Sequence, residues 1–303
     1  MRIGILTTVN EHEDKRLLDA GLERGHDIKI LELQRCSLSV CMDAPEVYYD
    51  GEPISKDFDV IIPRIDTPET EYGLIILKQF AAMHIFISDK PRALQLGRDK
   101  LRCVQRLLRE GVPFPSTGFA HSSEDYENII QTVGGVPLII KLVEGTEGVG
   151  VFLADDKKHA INLLKTFKQL SVPLIVQKFI AESAGTDIRA FVIGDEIIAC
   201  MQRKSQDGDF RANVALGGEP NNVALTQEEQ DIVLKAARAI NINIAGVDII
   251  RSDNGPLVIE INVSPGFTGL ESITGVDVAG KIIEFAIKAK EEASKKRAPL
   301  TNR

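Results

Sequence analysis

Three side chains in the last quarter of the chain have the types and spacing of ligands for a hard metal ion. Asp248, Glu260 and Asn262 belong to two apolar runs, 247–250 and 257–263, that a short polar turn separates. This pattern predicts an antiparallel hairpin, in which Glu260 and Asn262, two residues apart, point to the same face. Folding about the turn brings Asp248 level with Glu260 to within one residue of register.

The three ligands are carboxylate and amide oxygens with no His or Cys beside them, a set that suits Mg²⁺ or Mn²⁺. The alternative is an exposed hairpin with ordinary polar positions. We favour the metal site because Glu260 and Asn262 interrupt an otherwise apolar strand, where an unpaired carboxylate would be costly.

A glycine-rich segment, residues 144–150, follows the apolar strand 138–143, which carries a single Lys at Lys141. It lacks the Gly-Lys-Ser/Thr and the following helix of a Walker loop. Backbone N–H groups of such a loop still bind phosphate oxygens. The pattern therefore predicts a strand-loop-strand flap over a nucleotide, with Lys141 on its phosphates. A glycine-rich hairpin without function, with Lys141 reaching to solvent, is the alternative.

Composition narrows the class of protein. The 303 residues are 44% hydrophobic and 26% charged, which is ordinary for a globular protein of two or three units. The net charge of −8 argues against a broad nucleic-acid-binding face. We expect a cytoplasmic protein without a membrane span or signal peptide, whose four cysteines, lacking CxxC spacing, are free thiols.

Residues 1–95 alternate strand and helix patterns, which predicts a small open parallel α/β unit. It has no Gly-rich dinucleotide fingerprint after its first strand. Arg64 follows a strand end, where such sheets place ligand contacts, and is either a carboxylate-binding residue or a surface residue. The predicted strands are 2–7, 27–33, 58–63 and 85–87, and the predicted helices are 13–24 and 73–83.

The rest of the chain mixes helices with shorter strands, giving an α/β (α+β) protein. A strongly basic helix is predicted over 97–110 and a helix with a capping box over 226–239. The other predicted strands are 138–143, 151–153, 174–180, 187–193 and 197–203, and the other helices are 157–170 and 278–296.

Together these motifs resemble the ATP-grasp superfamily, and most closely its RimK-type glutamate ligases, over nearly the whole chain. The segments that carry the resemblance are Arg98-Asp99-Lys100, 141–150, 208–213, 245–248 and 260–266. It implies an ATP-grasp fold preceded by a pre-ATP-grasp domain. The implied units are 1–95, a lid subdomain with the glycine-rich loop at 96–180, a C-terminal subdomain with the metal site at 181–290, and a basic tail at 291–303.

The resemblance also implies roles for individual residues. Two metal ions are implied at Asp248, Glu260 and Asn262, with Glu260 between them. Lys178 stands where many superfamily members carry Glu, so only backbone contacts are expected from this hinge. The implied nucleotide-binding residues are Lys100 and Lys141 on the phosphates, Gly145, Thr146, Gly148 and Gly150 in the lid, Lys178 and Phe179 at the adenine, Asp187 near the ribose, and Arg211, Ala212 and Asn213 near the chemistry.

The implied activity is ATP-dependent formation of an amide bond through an acyl phosphate, in a carboxylate-amine ligase. L-glutamate is the implied donor, and the acceptor is a C-terminal carboxylate of a peptide or protein, most closely that of a small-subunit ribosomal protein, with poly-α-glutamate as a further product. Neither direct nucleic-acid binding nor membrane binding is expected, and the sequence leaves open whether the protein forms a homo-oligomer.

Cations for this chemistry must be found among the arginines. Gly246 stands where D-alanine ligases, another ATP-grasp family, carry an Arg. Arg203 and Arg211 are therefore the candidates for stabilising the oxyanion. For the two carboxylates of glutamate, the candidates are Arg64, Arg189 and Lys204, and Arg is preferred because it pairs bidentately with carboxylate.

Three other functions remain open on the sequence. One is an ATP-grasp ligase that adds an amino acid to a small molecule or a carrier protein. Another is a non-catalytic ATP-binding regulatory module. The complete set of metal ligands argues against it, because a protein that only binds ATP does not need them. The third is a kinase, which would share the first half of the reaction but would need no amine.

Overall fold

A computed structural model describes residues 1–8, 12–145, 148–206, 208–213 and 217–297 of the chain. The strands are β1 (Arg2–Thr7), β2 (Asp27–Glu32), β3 (Cys36–Ser39), β4 (Glu46–Tyr49), β5 (Glu52–Pro53), β6 (Val60–Arg64), β7 (Phe86–Ile87), β8 (Thr117–Gly118), β9 (Leu138–Leu142), β10 (Val151–Ala154), β11 (Leu174–Lys178), β12 (Thr186–Ile193), β13 (Glu196–Lys204), β14 (Glu219–Asn222), β15 (Ile244–Ser252) and β16 (Gly255–Asn262). The α-helices are α1 (His12–Glu23), α2 (Thr70–Ala82), α3 (Pro91–Arg98), α4 (Lys100–Arg109), α5 (Tyr126–Thr132), α6 (Lys157–Gln169), α7 (Gln227–Ile240), α8 (Thr268–Thr274) and α9 (Val278–Arg297).

The N-terminal sheet is parallel, with strand order β2-β1-β6-β7. Side chains alternate along β1, so Ile3 and Ile5 pack with α1 and α9 on one face, while Leu6 packs with the core on the α2 side. The predicted α/β unit is therefore confirmed, and the carboxyl end of β6 carries Arg64 towards the rest of the molecule.

A small antiparallel sheet, β3-β4-β5, was not predicted. Its second turn consists of Asp50 and Gly51, both with positive φ (53° and 86°), between the paired residues Tyr49 and Glu52. Asp-Gly is the strongest short signal for a tight hairpin turn, so this feature could have been found in the sequence.

The middle of the chain forms a second antiparallel sheet, with order β10-β9-β11-β8, that has its own apolar core. Tyr126 and Ile130 of α5 and Leu164 of α6 pack against one face of this sheet. Its other face, which carries Lys141, is left to line a cleft. We call this sheet the lid sheet.

The third sheet is antiparallel, with order β14-β13-β12-β15-β16, and we call it the central sheet. Helix α7 packs on its apolar face. The predicted capping box of α7 is present, since Thr226 accepts from the Glu229 amide and the Glu229 side chain accepts from the Thr226 amide. The opposite face of the central sheet carries the charged residues described below.

The single basic helix predicted over 97–110 is wrong. The structure has α3 and α4, which break at Asp99, whose backbone is extended (φ −88°, ψ 100°). Asp99 caps α4 by accepting from the Arg102 amide at 2.9 Å, a role that Asp fills well at a helix start. The break places Lys100 at the beginning of α4, beside the central sheet.

None of the helices in the described part of the chain is both long and apolar enough to cross a lipid bilayer.

Asp89, just after β7, joins the N-terminal unit to the central sheet. Its buried carboxylate accepts from the backbone amides of Asn243 (2.7 Å) and Ile244 (3.1 Å). Burial raises the pKa of Asp89 to about 6, although these hydrogen bonds act in the opposite direction. The carboxylate is ionised at neutral pH, when it satisfies two buried donors at once.

Replacing Asp89 by Ala should lower the free energy of unfolding by about 3 kcal/mol, because two buried amides lose their acceptor. Asp89→Asn keeps an acceptor and should cost less than half as much. Urea unfolding at neutral pH measures both, with Asp43→Ala, an exposed Asp, as the control. Equal stability of Asp89→Ala and the control variant would contradict this role.

Candidate functional site

The predicted hairpin is β15 and β16, and its register carries a bulge. Ser252 pairs with Gly255 and Ile249 with Val258, but the next pair is Asp248 with Glu260, because the register shifts there. The extra residue is Ile259. Without the shift, Asp248 would face Ile259, and the two carboxylates would point to opposite faces of the sheet. The bulge therefore brings them together, as the sequence predicted to within one residue.

The face of the central sheet that carries Asp248 holds a buried network of two carboxylates and two guanidinium groups. Arg189, paired with Asp248 across β12 and β15, binds both of its oxygens (Nε–Oδ1 2.5 Å, Nη2–Oδ2 2.7 Å). Arg203 binds both oxygens of Asp187 (2.6 and 2.7 Å) and lies 2.9 Å from Asp248 Oδ2. We call these four residues the charge network.

Burial alone would raise the pKa of the Asp248 carboxyl, which is only 1% exposed. The charges and hydrogen bonds of Arg189 and Arg203 outweigh this effect, and the pKa is lowered. Asp248 is therefore a permanent anion at neutral pH.

Gly246 makes room for Arg189. A Cβ atom at this position would lie 2.9 Å from Arg189 Cδ and 3.0 Å from Pro265 Cβ. A residue with a side chain at position 246 would therefore displace Arg189 from its place beside Asp248. Sequence reasoning missed this relation because it depends on which strands are neighbours.

Asn262 and Lys100 complete this edge of the sheet. The Asn262 amide donates to Asp248 Oδ2 (3.2 Å) and to the Gly246 carbonyl (3.3 Å). Lys100 Nζ lies 3.0 Å from Glu260 Oε1 and donates to the Gly145 carbonyl at 2.6 Å. Lys100 therefore ties the start of the glycine-rich loop to a predicted metal ligand.

Lys141 reaches the same cleft from the lid sheet. It shares a face with Ile139, and its strand neighbour Val151 and the more distant Gln177 line the cleft beside it. Burial lowers the pKa of Lys141 to about 8, and the charge of Glu260 opposes this shift. The apolar neighbours were not predicted, although the alternation in β9 would have identified Ile139.

Gly148, in the described part of the glycine-rich segment, lines one side of this cleft. Gly148 and Gly150 have positive φ (77° and 73°), which other residues adopt only at a cost. Arg211 donates to the Gly148 carbonyl at 3.3 Å and is itself held by Asp209 at 2.7 Å. The loop at 208–213 thus supports the flap. Thr146 lies outside the described residues.

The predicted hinge lies at the end of β11. The Lys178 amide donates to the Ser116 carbonyl at 2.8 Å, so this amide is already used. The Lys178 side chain is exposed, and both Lys178 and Phe179 line the cleft.

A cleft with a volume of about 110 Å³ lies between the lid sheet and the central sheet. It brings together most of the predicted nucleotide and metal residues. Those that line it are Lys141, Gly148, Lys178, Phe179, Asp187, Arg211, Ala212, Asn213, Asp248 and Glu260.

None of the three predicted carboxylate-binding residues lines this cleft, since Arg189 belongs to the charge network and does not reach it. Lys204 is exposed, because it follows Arg203 on a strand and so points to the opposite face. Arg64 donates to the Pro265 carbonyl at 2.8 Å and lies over the Phe267 ring at 5.6 Å. It fastens the segment after β16 to the N-terminal sheet.

The donor set fits a hard divalent cation. Asp248, Glu260 and Asn262 offer oxygen ligands from one sheet face, and Lys141 and Arg211 line the cleft next to them. In the described part of the chain, no group of three or more His, Cys, Asp and Glu side chains could hold a metal by itself. A cation here would therefore depend on the Asn262 amide and on oxygens of a bound phosphate.

Two family descriptions cover almost the whole chain: the RimK PreATP-grasp domain over residues 1–94 and the RimK-like ATP-grasp domain over residues 97–286. Proteins named probable alpha-L-glutamate ligase are similar over 95% of this chain and 96% of their own length. Those of Coxiella burnetii (strain RSA 493 / Nine Mile phase I) and Trichodesmium erythraeum are 46% and 44% identical to it.

Solved structures share the fold. A RimK domain protein ATP-grasp from Sphaerobacter thermophilus has a TM-score of 0.76 at 21% identity, over 95% of this chain and 100% of that one. The ATP-grasp ligase PsnB, complexed with minimal precursor, Mg and ADP, has a TM-score of 0.72 at 18% identity, over 96% and 98%. The predicted ATP-grasp fold and the predicted class of ATP-dependent ligase are confirmed. The chain belongs to the RimK-like ATP-grasp family.

Proposed function

We propose that this protein joins the α-amine of L-glutamate to a C-terminal carboxylate of a peptide or protein, using ATP and an acyl phosphate intermediate. The observation that carries the proposal is the cleft in which Lys141, Arg211 and Asn213 face Asp248 and Glu260. Such a site combines cations for a triphosphate with oxygen ligands for its metal ions. We propose a small-subunit ribosomal protein as the acceptor, with further glutamates added to the first.

Similar proteins support the choice of donor and acceptor. The curated relatives at 46% and 44% identity are named for glutamate. PsnB, which shares the fold, was solved with a precursor peptide, and so was the macrocyclase MdnC. A peptide or protein acceptor agrees with a cleft that is open to solvent beside the flap.

The residues of the described site would bind the nucleotide in a definite order along the cleft. The Lys178 carbonyl and Phe179 would meet the adenine, since the Lys178 amide is already bonded to Ser116. Asp187 would lie near the ribose, and Lys141, Lys100 and Arg211 would contact the phosphates. Asp248, Glu260 and Asn262 would hold Mg²⁺ or Mn²⁺, which neutralises phosphate charge.

We propose two metal ions at Asp248, Glu260 and Asn262. The triphosphate of ATP carries roughly four negative charges, and each divalent ion would neutralise two of them.

In the reaction, an acceptor carboxylate oxygen attacks the γ-phosphorus, and ADP leaves. The glutamate amine then attacks the acyl carbon, and phosphate leaves as the amide forms. Lys141 and Arg211 would stabilise the charge on the transferred phosphoryl group. Arg203 is 3% exposed and fully engaged with Asp187 and Asp248, so it would act by holding Asp248 in place. Arg189 would do the same from the other side.

Glu260→Gln should lower glutamate-dependent turnover by at least about 100-fold, because the site loses a charged metal ligand. The assay follows phosphate release from ATP and Mg²⁺ with each amino acid and a peptide ending in glutamate, and mass spectrometry identifies products longer by glutamyl residues. Glu124→Gln, an exposed position on the lid, is the control.

Three outcomes of this assay would contradict the proposal. Turnover of the unmodified protein with another amino acid alone would assign a different donor. A phosphorylated product without an amine would indicate a kinase. Tight ATP binding without any turnover would indicate a regulatory module.

ATP affinity should fall as the pH rises through about 8, the lowered pKa of Lys141. Below this pH the lysine is protonated and binds phosphate, and above it the loss should approach about tenfold per pH unit. Calorimetric titration with ATP measures the effect. Lys141→Arg, which stays charged, should remove the pH dependence. A profile that is unchanged in Lys141→Arg would assign the titration to another group.

A further inference from the structure

A second cleft, with a volume of about 300 Å³, adjoins the cleft between the lid sheet and the central sheet, which we call the nucleotide cleft. Asn213 lines both. Its walls come from the N-terminal unit, from the face of the central sheet that carries Arg189 and Arg203, and from the segment after β16. Any molecule in this cleft would therefore lie next to the predicted phosphates. We call it the donor cleft.

Arg98, the last residue of α3, projects into the donor cleft without a carboxylate partner. Its guanidinium donates to Thr67 Oγ1 (2.8 Å) and to the Ile65 carbonyl, both of them uncharged. Within the described ranges, no ion pair includes Arg98. Burial lowers its pKa to about 10. The charges of Asp66, which also lines this cleft, and of Glu260 oppose this shift, but neither carboxylate forms an ion pair with Arg98. The partly buried guanidinium is therefore available to pair with the anion of a ligand.

The other two arginines that line this cleft already form ion pairs with carboxylates of the protein. Arg189 is paired with Asp248, and Arg203 is paired with both Asp187 and Asp248. Their charge is therefore largely neutralised within the protein, and Arg98 is the cation whose charge is left for a ligand.

The donor cleft is also lined by a carboxylate, that of Glu13. Glu13, on α1, accepts from Thr268 Oγ1 at 2.8 Å. Burial alone would raise the pKa of Glu13, but the Thr268 hydrogen bond and the charge of Arg64 outweigh it, and the pKa is lowered. The cleft thus offers an anion for an ammonium group as well as a cation for a carboxylate.

We propose that the donor cleft binds the amino acid that supplies the amine, that Arg98 binds its side-chain carboxylate, and that Glu13 binds its ammonium group. This rests on the proposed ligase function and names its specificity-determining residue. The ligand class is an α-amino dicarboxylic acid. Its ammonium group lies at Glu13 and must lose a proton before the amine attacks the acyl phosphate. Its side chain extends by two methylene groups to Arg98, at the end of α3.

Arg98→Met tests this assignment, because it keeps the length of the side chain and removes its charge. The KM for glutamate should rise about 100-fold, as expected when a buried ion pair loses one partner. The KM for ATP should stay unchanged. Turnover with glutamine, which lacks the second carboxylate, should change little, so discrimination between the two amino acids should fall by about the same factor.

The matched control is Arg92→Met, an exposed arginine on the same helix. Thermal unfolding checks that Arg98→Met is folded, since Arg98 also bonds to Thr67 and Ile65. If it does not fold, Arg98→Lys and Glu13→Gln carry the test. Arg98→Lys should keep a preference for glutamate over glutamine, and Glu13→Gln should raise the KM for both amino acids equally.

The assay separates failure of this inference from failure of the proposed function. If the unmodified protein turns over with glutamate and Arg98→Met leaves its KM unchanged, the inference is wrong and the ligase function stands. An equal loss with glutamate and glutamine would also overturn it, because Arg98 would then bind the carboxylate common to both. If the unmodified protein does not use glutamate at all, the proposed function is what fails.

Discussion

The rest of the site depends on the charge network of Asp187, Arg189, Arg203 and Asp248. A buried carboxylate is tolerated only when it is paired and hydrogen-bonded, and Asp248 is bound from both sides by guanidinium groups. Removing one partner would leave an uncompensated charge in the sheet. The network therefore fixes the position of the carboxylate on which the proposed metal site rests, before any ligand binds.

The same network explains why the central sheet can be polar on one face and apolar on the other. Its outer face packs on α7 through Val233 and Ala237, which belong to the main core. Its inner face presents charges to the clefts at one end, while Phe191 and Met201 on the same face pack in a second core with α8 and α9. Two units then cover that face, the lid sheet over the nucleotide cleft and the N-terminal unit over the donor cleft, and Asn213 stands where the two clefts meet.

Much of this arrangement could be predicted from the sequence, and what could not has a physical reason. The hairpin, its turn and the shared face of Glu260 and Asn262 follow from the two-residue period of a strand. The bulge at Ile259 does not, because a register shift costs little and leaves the apolar pattern intact. The break at Asp99 was hidden by a helical pattern on both sides, although Asp is a good cap.

The sequence could not show which residues pair when they lie on strands that are far apart in the chain. Arg189 and Asp248 are far apart in the chain and become neighbours only because β12 lies beside β15. Sequence reasoning therefore treated Arg189 as a ligand for a substrate carboxylate, and it could not show that Arg189 binds the predicted metal ligand Asp248. Arg98 was noted only as part of a motif, because nothing in its neighbourhood along the chain shows that it lines a cleft without an ion-pair partner.

The pairing of arginines has a consequence for selectivity. An arginine that already binds a protein carboxylate gains little from a second one, because its donors and its charge are shared. Arg189 and Arg203 hold Asp248 in place, so they cannot distinguish one amino acid from another by charge. Arg98, at the end of α3, forms no ion pair among the described residues and is partly buried, which strengthens its interaction with an anion. Discrimination between a charged side chain and a neutral one of the same shape needs such an unpaired cation, so the proposed selectivity lies with Arg98 on α3 and not with the arginines of the central sheet.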